Sequence, residues 1–245
     1  MLARERLILA LDVDTEVEAV SLMGKLAGSV GLFKVGMQLF NACGPCIVRR
    51  IHDMGGRVFV DLKFHDIPNT LAHAGRVMTR LGCAMFDIHA AGGADMMKAL
   101  SEAVQDEAAK SGVQAPLTLA ISVLTSIGQS QLKSDLLIPD LTVEEAAVAW
   151  ARRAKAAGIG GVVCSPQETE AIRAACGHDF RIVTPGIRPA WAVLNDQRRT
   201  ASPAEAVCLG ADYIVVGRPI TAAANPVEAA ERIIEEMEAC CVDKQ

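Results

Sequence analysis

Short apolar runs recur along the chain, and amphipathic stretches of helical period lie between them. Leu7-Ile8-Leu9-Ala10-Leu11 is apolar at every position and ends at Asp12, which predicts a strand covered on both faces. Asp14 or Thr15 caps the helix that follows, Thr15 with Glu18 in capping-box spacing. Gly31 to Gly36, around Leu32-Phe33-Lys34-Val35, is a second strand, with a helix over roughly 45–54. Val58-Phe59-Val60 opens the third, and its helix runs from Pro68 to Leu81. Met85 to His89 is the fourth, and after Gly92-Gly93 a long helix reaches about Lys110. Leu117 to Leu124 is the fifth, followed by a polar loop and a helix over Thr142 to Ala157. Gly161 to Cys164, Arg181 to Thr184 and Tyr213 to Val216 complete the set. A helix follows Ser165-Pro166, and a closing amphipathic helix covers about 226–240.

Eight such strands alternating with helices imply parallel pairing through right-handed crossovers. A closed (β/α)8 barrel covers both faces of every strand at this length, so the expectation is α/β, one domain over 1–245. In that architecture the chemistry gathers at the C-terminal ends of the strands. Polar residues do collect there: Asp12, Lys34, Asp61 with Lys63, His89, Thr125, Arg188 and Arg218. His89 is assigned as a satisfied core histidine.

The third strand is the most informative. Alternation places Asp61 and Lys63 on one face, and a turn before Pro68 brings Asp66 back toward them. Two carboxylates flanking an ammonium cost solvation energy, which points to function, against the alternative of an ion pair bracing the strand end. Strands seven and eight supply an anion site. Gly217 permits close backbone approach, and Arg188 and Arg218 offer charge-assisted contacts beside a helix start. The segment from Arg188 to Thr200 is long for such a loop and is expected to act as a lid.

Composition narrows the classes. The 245 residues are 51% hydrophobic and 22% charged, with a net charge of −5. No basic run suggests nucleic acid, no apolar run suits a bilayer, and no targeting segment precedes the first strand, so a cytoplasmic protein is expected. The eight cysteines are scattered and do not read as a disulfide framework. Cys43-Gly44-Pro45-Cys46 has redox-motif spacing, but here it is assigned to a helix-start turn containing Pro45.

Asp61-Leu62-Lys63-Phe64-His65-Asp66-Ile67-Pro68-Asn69-Thr70, Thr184-Pro185-Gly186-Ile187-Arg188, Asn195-Asp196-Gln197 and Val216-Gly217-Arg218-Pro219-Ile220-Thr221 together resemble the orotidine 5′-phosphate decarboxylase family. Ala10-Leu11-Asp12, Phe33-Lys34-Val35-Gly36, His89-Ala90-Ala91-Gly92-Gly93 and Val123-Leu124-Thr125-Ser126 match its other segments, in order, over residues 8 to about 221.

The resemblance implies a homodimeric barrel that converts orotidine 5′-phosphate to UMP and carbon dioxide without metal or cofactor. It implies Lys63 as proton donor to C6, with Asp61, Asp66 and Lys34 completing a charge row. Asp66 and Thr70 would come from the partner subunit. Asp12, Lys34 and Thr70 would bind the ribose region, and Thr125 the pyrimidine edge. Pro185, Arg188, Gln197, Gly217 and Arg218 complete the substrate-binding set, chiefly at the phosphate. Two rival readings stay open: a magnesium-dependent sugar-phosphate decarboxylase or synthase on a related barrel, and a non-catalytic nucleotide-phosphate binder.

Overall fold

In the computed structural model the eight apolar runs pair in parallel and in chain order, and the last pairs with the first. The structure describes residues 1–192 and 200–242, and all counts below refer to these. One helical turn, α1 (Ala3–Arg6), precedes β1 (Leu7–Ala10) and α2 (Glu16–Leu26). Then come β2 (Leu32–Gly36), α3 (Met37–Cys43), α4 (Cys46–Asp53), β3 (Val58–Phe64) and α5 (Pro68–Leu81). The middle of the chain gives β4 (Met85–His89), α6 (Ala94–Ser111), β5 (Leu117–Ile121), α7 (Gln129–Ser134) and α8 (Val143–Ala156). The rest is β6 (Gly161–Val163), α9 (Thr169–Cys176), β7 (Arg181–Thr184), α10 (Pro203–Cys208), β8 (Tyr213–Val216), α11 (Arg218–Thr221) and α12 (Pro226–Val242).

Alternation along each strand divides the core in two. Ile8, Leu32, Phe59, Met85, Leu119 and Val215 form one buried cluster that fills the barrel. Their neighbours Leu9, Phe33, Val60 and Phe86 belong to a second, larger cluster with the helices. Burying each such side chain stabilises the fold by roughly 1.5–3 kcal/mol.

Local signals explain most boundaries. Thr15 and Thr142 cap α2 and α8 with complete capping boxes, and Pro68 opens α5 at a position where its missing N–H costs nothing. Asp14 is not a cap; its Oδ1 accepts a hydrogen bond from Gln38 Nε2 at 2.8 Å. Four helices lie where none was expected: α1 ahead of β1, α3 directly after β2, α7 inside the polar loop, and α10, whose Ser202–Glu205 capping box is visible in the sequence. The fifth strand is shorter than expected. It ends at Ile121, and the chain turns at Leu124, where Ile127 N–H donates to the Leu124 carbonyl at 2.9 Å.

Cys43 ends α3, Gly44 takes φ +66°, and Pro45 caps α4, so the Cys-Gly-Pro-Cys run is a turn between two helices. Neither of its cysteines is in a disulfide, nor are Cys83, Cys164 and Cys176. Cys208 differs from expectation: it is disulfide-bonded. Among the described residues no helix is long and apolar enough to cross a membrane.

Candidate active site

Two residues beyond the barrel-filling Ala10, Leu32, Phe59 and Met85 stand Asp12, Lys34, Asp61 and Asp87. A step of two in a strand keeps the face, so the same alternation that fills the barrel sets a charged layer above the apolar one. Lys34 Nζ lies 3.2 Å from Asp12 Oδ1 and 3.2 Å from Asp61 Oδ2. The Lys63 ammonium bonds the other Asp61 oxygen, Oδ1. Asp12, Lys34, Asp61 and Lys63 thus form a row of alternating charge across β1, β2 and β3.

Lys63 reaches this position through an irregularity in β3. Val60 pairs with Phe86 and Phe64 with Ile88, so Asp61, Leu62 and Lys63 together oppose the single residue Asp87. Lys63 sits at φ +51°, a left-handed conformation that costs a non-glycine residue roughly 1 kcal/mol. Asp87 Oδ1 accepts the backbone N–H groups of Leu62 at 3.0 Å and Lys63 at 2.8 Å.

The electrostatics follow from burial and pairing. Burial alone would lower the pKa of Lys34, but Asp61 and Asp12 outweigh it and raise it above the ordinary lysine value. Burial pushes the Asp61 carboxyl up; Lys34, a hydrogen bond with Asp87, and Lys63 overcome this and hold it at about 2. Asp87 goes the other way. Its burial, then the adjacent Asp61 charge, raise it well above the usual carboxylate range. His89 is shifted down by burial and by the nearby His65 and Lys63. Its Nδ1 accepts the Ala91 N–H at 3.2 Å, and its ring stacks on His65 and meets the edge of Trp150.

Lys34, Asp61, Lys63, Asp87, Thr125 and Pro185 line one cavity of about 170 Å³, with Cys164 among its apolar walls. Asp12 sits at its rim through Lys34. A larger hollow of about 760 Å³ opens among the strand starts, beside Arg57, Met85, Leu117 and Tyr213. We place the chemistry in the smaller cavity, because it holds the ion row and lies at the C-terminal strand ends.

Other residues fall elsewhere. Asp66 does not turn back to Lys63. It is exposed, and its Oδ1 accepts the N–H of Ile67 at 2.7 Å, because the chain must extend into Pro68 at the start of α5. Thr70, in the first turn of α5, is likewise exposed and outside the cavity wall. Arg188 is buried just past β7, with its Nη1 donating to the Ile187 carbonyl at 2.8 Å. Arg218 begins α11 and faces a hollow shared with Trp191 and Arg232. The expected lid residues Asn195, Asp196 and Gln197 lie outside the described residues. The two described ends of that segment pair with each other, Arg188 N–H donating to the Ala201 carbonyl at 2.9 Å. Trp191 is anchored on α12 by Glu236, at 2.9 Å, and by the Arg232 guanidinium over its ring.

Asp87 is the site residue that sequence reasoning missed. Its only signal was a carboxylate in the middle of an otherwise apolar strand, where an unpaired charge is not tolerated. Among the described residues no group of three or more His, Cys, Asp or Glu side chains is placed to hold a metal ion.

Fold and site together define the class: a (β/α)8-barrel enzyme with an ion-paired cavity at the C-terminal ends of its strands. Residues 5–233 match the Orotidine 5'-phosphate decarboxylase / HUMPS family, and the chain belongs to that family. It is 60% identical over 238 residues to the orotidine 5'-phosphate decarboxylase of Syntrophomonas wolfei, covering 97% of this chain and all of that one. The Heliobacterium modesticaldum protein of the same name is 52% identical over 97% of each chain. The crystal structure of orotidine 5'-phosphate decarboxylase from Lactobacillus acidophilus superposes with a TM-score of 0.83 at 36% identity, covering 94% of this chain and 98% of that one.

Proposed function

We propose that this protein decarboxylates orotidine 5′-phosphate to UMP and carbon dioxide in pyrimidine biosynthesis, without metal or cofactor. The observation that carries the reading is the Asp12–Lys34–Asp61–Lys63 row, held at the strand ends of a chain 48–60% identical to proteins of that name. Loss of carbon dioxide leaves an electron pair in the plane of the pyrimidine at C6, where no π system delocalises it. An ammonium fixed beside that carbon stabilises the charge as it develops and then supplies the proton. Lys63 takes this role. Asp61 orients it, and Lys34 offsets the charge of Asp61 so that both ions remain in the cavity.

Asp12 and Lys34 bind the ribose region, Thr125 and Pro185 the base, and Arg188, Gly217 and Arg218 the phosphate, with Gln197 closing over it. The phosphate lies far from C6, so its binding energy is available to order the site. The active unit is a homodimer with shared sites. Asp66 and Thr70 support this, because both are exposed and neither reaches the cavity of its own chain. A cytoplasmic setting is part of this reading: the cysteines at 43, 46, 83, 164 and 176 stay outside any disulfide, which supports it, whereas the Cys208 disulfide counts against it.

The test is the loss of orotidine 5′-phosphate ultraviolet absorbance, with EDTA present, for wild type and Lys63→Ala. Turnover that survives the chelator and collapses in the variant is expected. A folded wild type that turns over only with added magnesium would instead assign it to the sugar-phosphate barrels, and intact nucleotide binding without turnover would leave a binder.

A further inference from the structure

We infer that Asp87 is the positioning residue for Lys63: it stays neutral, accepts the Leu62 and Lys63 N–H groups through Oδ1, and shares its proton with Asp61 through Oδ2. The inference rests on the decarboxylase reading above only for the role of Lys63.

Three observations meet at this residue. The first is register. Asp87 alone faces three residues of β3, so the bulge that sets Lys63 has one side chain filling its inner face. The second is hydrogen bonding. A bulge frees N–H groups from the ladder, and those of Leu62 and Lys63 both find Asp87 Oδ1. Without that acceptor the Leu62 and Lys63 N–H groups lose their partner, the backbone can relax from φ +51°, and the Lys63 side chain leaves the line toward Asp61.

The third is the other oxygen. Asp87 is fully buried, and its Oδ2 has no donor among the described residues. Its polar neighbour is the Asp61 carboxyl, within hydrogen-bonding reach. Two buried carboxylates in contact do not both ionise. The lysines decide which one does. Lys34 and Lys63 both bond Asp61, whereas Asp87 meets Lys63 through its backbone N–H. Asp61 is therefore the anion and Asp87 the acid, and a proton on Oδ2 satisfies the orphaned atom. Burial and the Asp61 charge, which raise the Asp87 pKa, act in the same direction. The proton also keeps the charge row alternating; an ionised Asp87 would set a second negative charge beside Asp61.

The test compares wild type with Asp87→Asn and Asp87→Ala. The amide of Asn keeps the acceptor and donates to Asp61 without titrating, and Ala does neither. For Asp87→Ala the expected result is kcat lower by about 100-fold with KM changed far less. Asp87→Asn is expected to recover kcat to within about tenfold of wild type. Amide exchange at Leu62 and Lys63 should quicken in the Ala variant and not in the Asn variant. An infrared difference spectrum, wild type minus Asp87→Asn, should show a protonated carboxylic acid at neutral pH. Wild-type kcat in a folded Asp87→Ala, an Asn variant as impaired as Ala, or a missing acid band would each overturn the inference. If Asp87→Ala does not fold, the Asn kinetics and the infrared band decide. If wild type shows no turnover, the decarboxylase reading fails by itself, while exchange and infrared still judge Asp87.

Discussion

Lys34 and Asp61 meet across the β2–β3 pair, with 3.2 Å between Nζ and Oδ2, although the strand register sets Gly36 opposite Asp61. The lysine reaches forward along its own strand, over the bare Cα of Gly36. A Cβ built on Gly36 would lie 3.0 Å from Lys34 Nζ and 3.6 Å from Asp12 Oδ1. The glycine is thus what leaves room for the ammonium between its two carboxylates.

Gly36→Ala is therefore expected to displace the Lys34 ammonium while leaving the barrel intact. Small displacements of a charged group at a reacting centre are costly, and kcat/KM should fall by about tenfold or more. Steady-state kinetics beside a thermal melt will show it. Unchanged kinetics would mean that the position of Lys34 does not limit the reaction.

Asp61 ties the site to acid stability. Its carboxyl is held at about 2 in the fold, against 3.8 for an unperturbed aspartate. A depressed native pKa means that the unfolded chain binds the proton first. The stabilisation is then complete above about pH 4 and is lost as pH falls toward about 2. Asp87, shifted the opposite way, keeps its proton in the fold, while the unfolded chain still releases it at about pH 4. Its linkage therefore has the opposite sign, acts chiefly at and above the top of this window, and is common to both proteins as far as burial causes the shift. Urea titrations across that range should show wild type losing on the order of 2 kcal/mol more than Asp61→Asn. Parallel curves for the two proteins would show that Asp61 is not held ionised by its lysines.

The sequence shows the ends of elements best where a side chain itself makes the boundary. Pro68 starts α5, Thr142 caps α8, and apolar Arg181–Thr184 and Tyr213–Val216 are strands over the expected residues. It shows least where backbone register decides. The β3 bulge is invisible in Val58–Phe64, whose composition reads as a plain strand, so the left-handed Lys63 and its acceptor Asp87 could not be paired in advance. Asp66 illustrates the opposite error. Proximity in sequence suggested that it joins Lys63, whereas the local turn spends its oxygen on Ile67. Asp12, Lys34 and Asp61 were legible because alternation alone fixes their face.

Stability at the other end of the barrel depends on one guanidinium. Arg173, on α9, donates to the carbonyls of Gly177 at 2.7 Å, Phe180 at 2.8 Å and Gly210 at 2.8 Å, and to Asp212 Oδ2 at 2.5 Å. It joins α9 to the approaches of β7 and β8. Arg173→Ala takes this donor from the three carbonyls, while Asp212 keeps Arg181 and the Ile182 N–H, and is expected to lower stability by roughly 3 kcal/mol. Arg173→Lys should restore only part, since an ammonium cannot reproduce the planar fork. Activity per folded molecule should not change. Urea unfolding at neutral pH measures the loss; a cost under about 1 kcal/mol would mean that water replaces these bonds.

Shared sites make the sharpest prediction about assembly. Within one chain Lys63 has Asp61 as its ion partner, and Asp66 points to solvent. If Asp66 completes the neighbouring chain's site, then Lys63→Ala and Asp66→Ala homodimers are each inactive, since every site carries a defect. Mixed and allowed to exchange subunits, they form heterodimers in which one site collects both defects and the other collects neither. Random pairing puts half of the dimers in that form, so about a quarter of all sites, and of wild-type activity, should return. Subunit exchange is followed independently with differently tagged chains. Exchange without recovery would place Asp66 outside the reacting centre, leaving Asp61 to pair with the Lys63 ammonium.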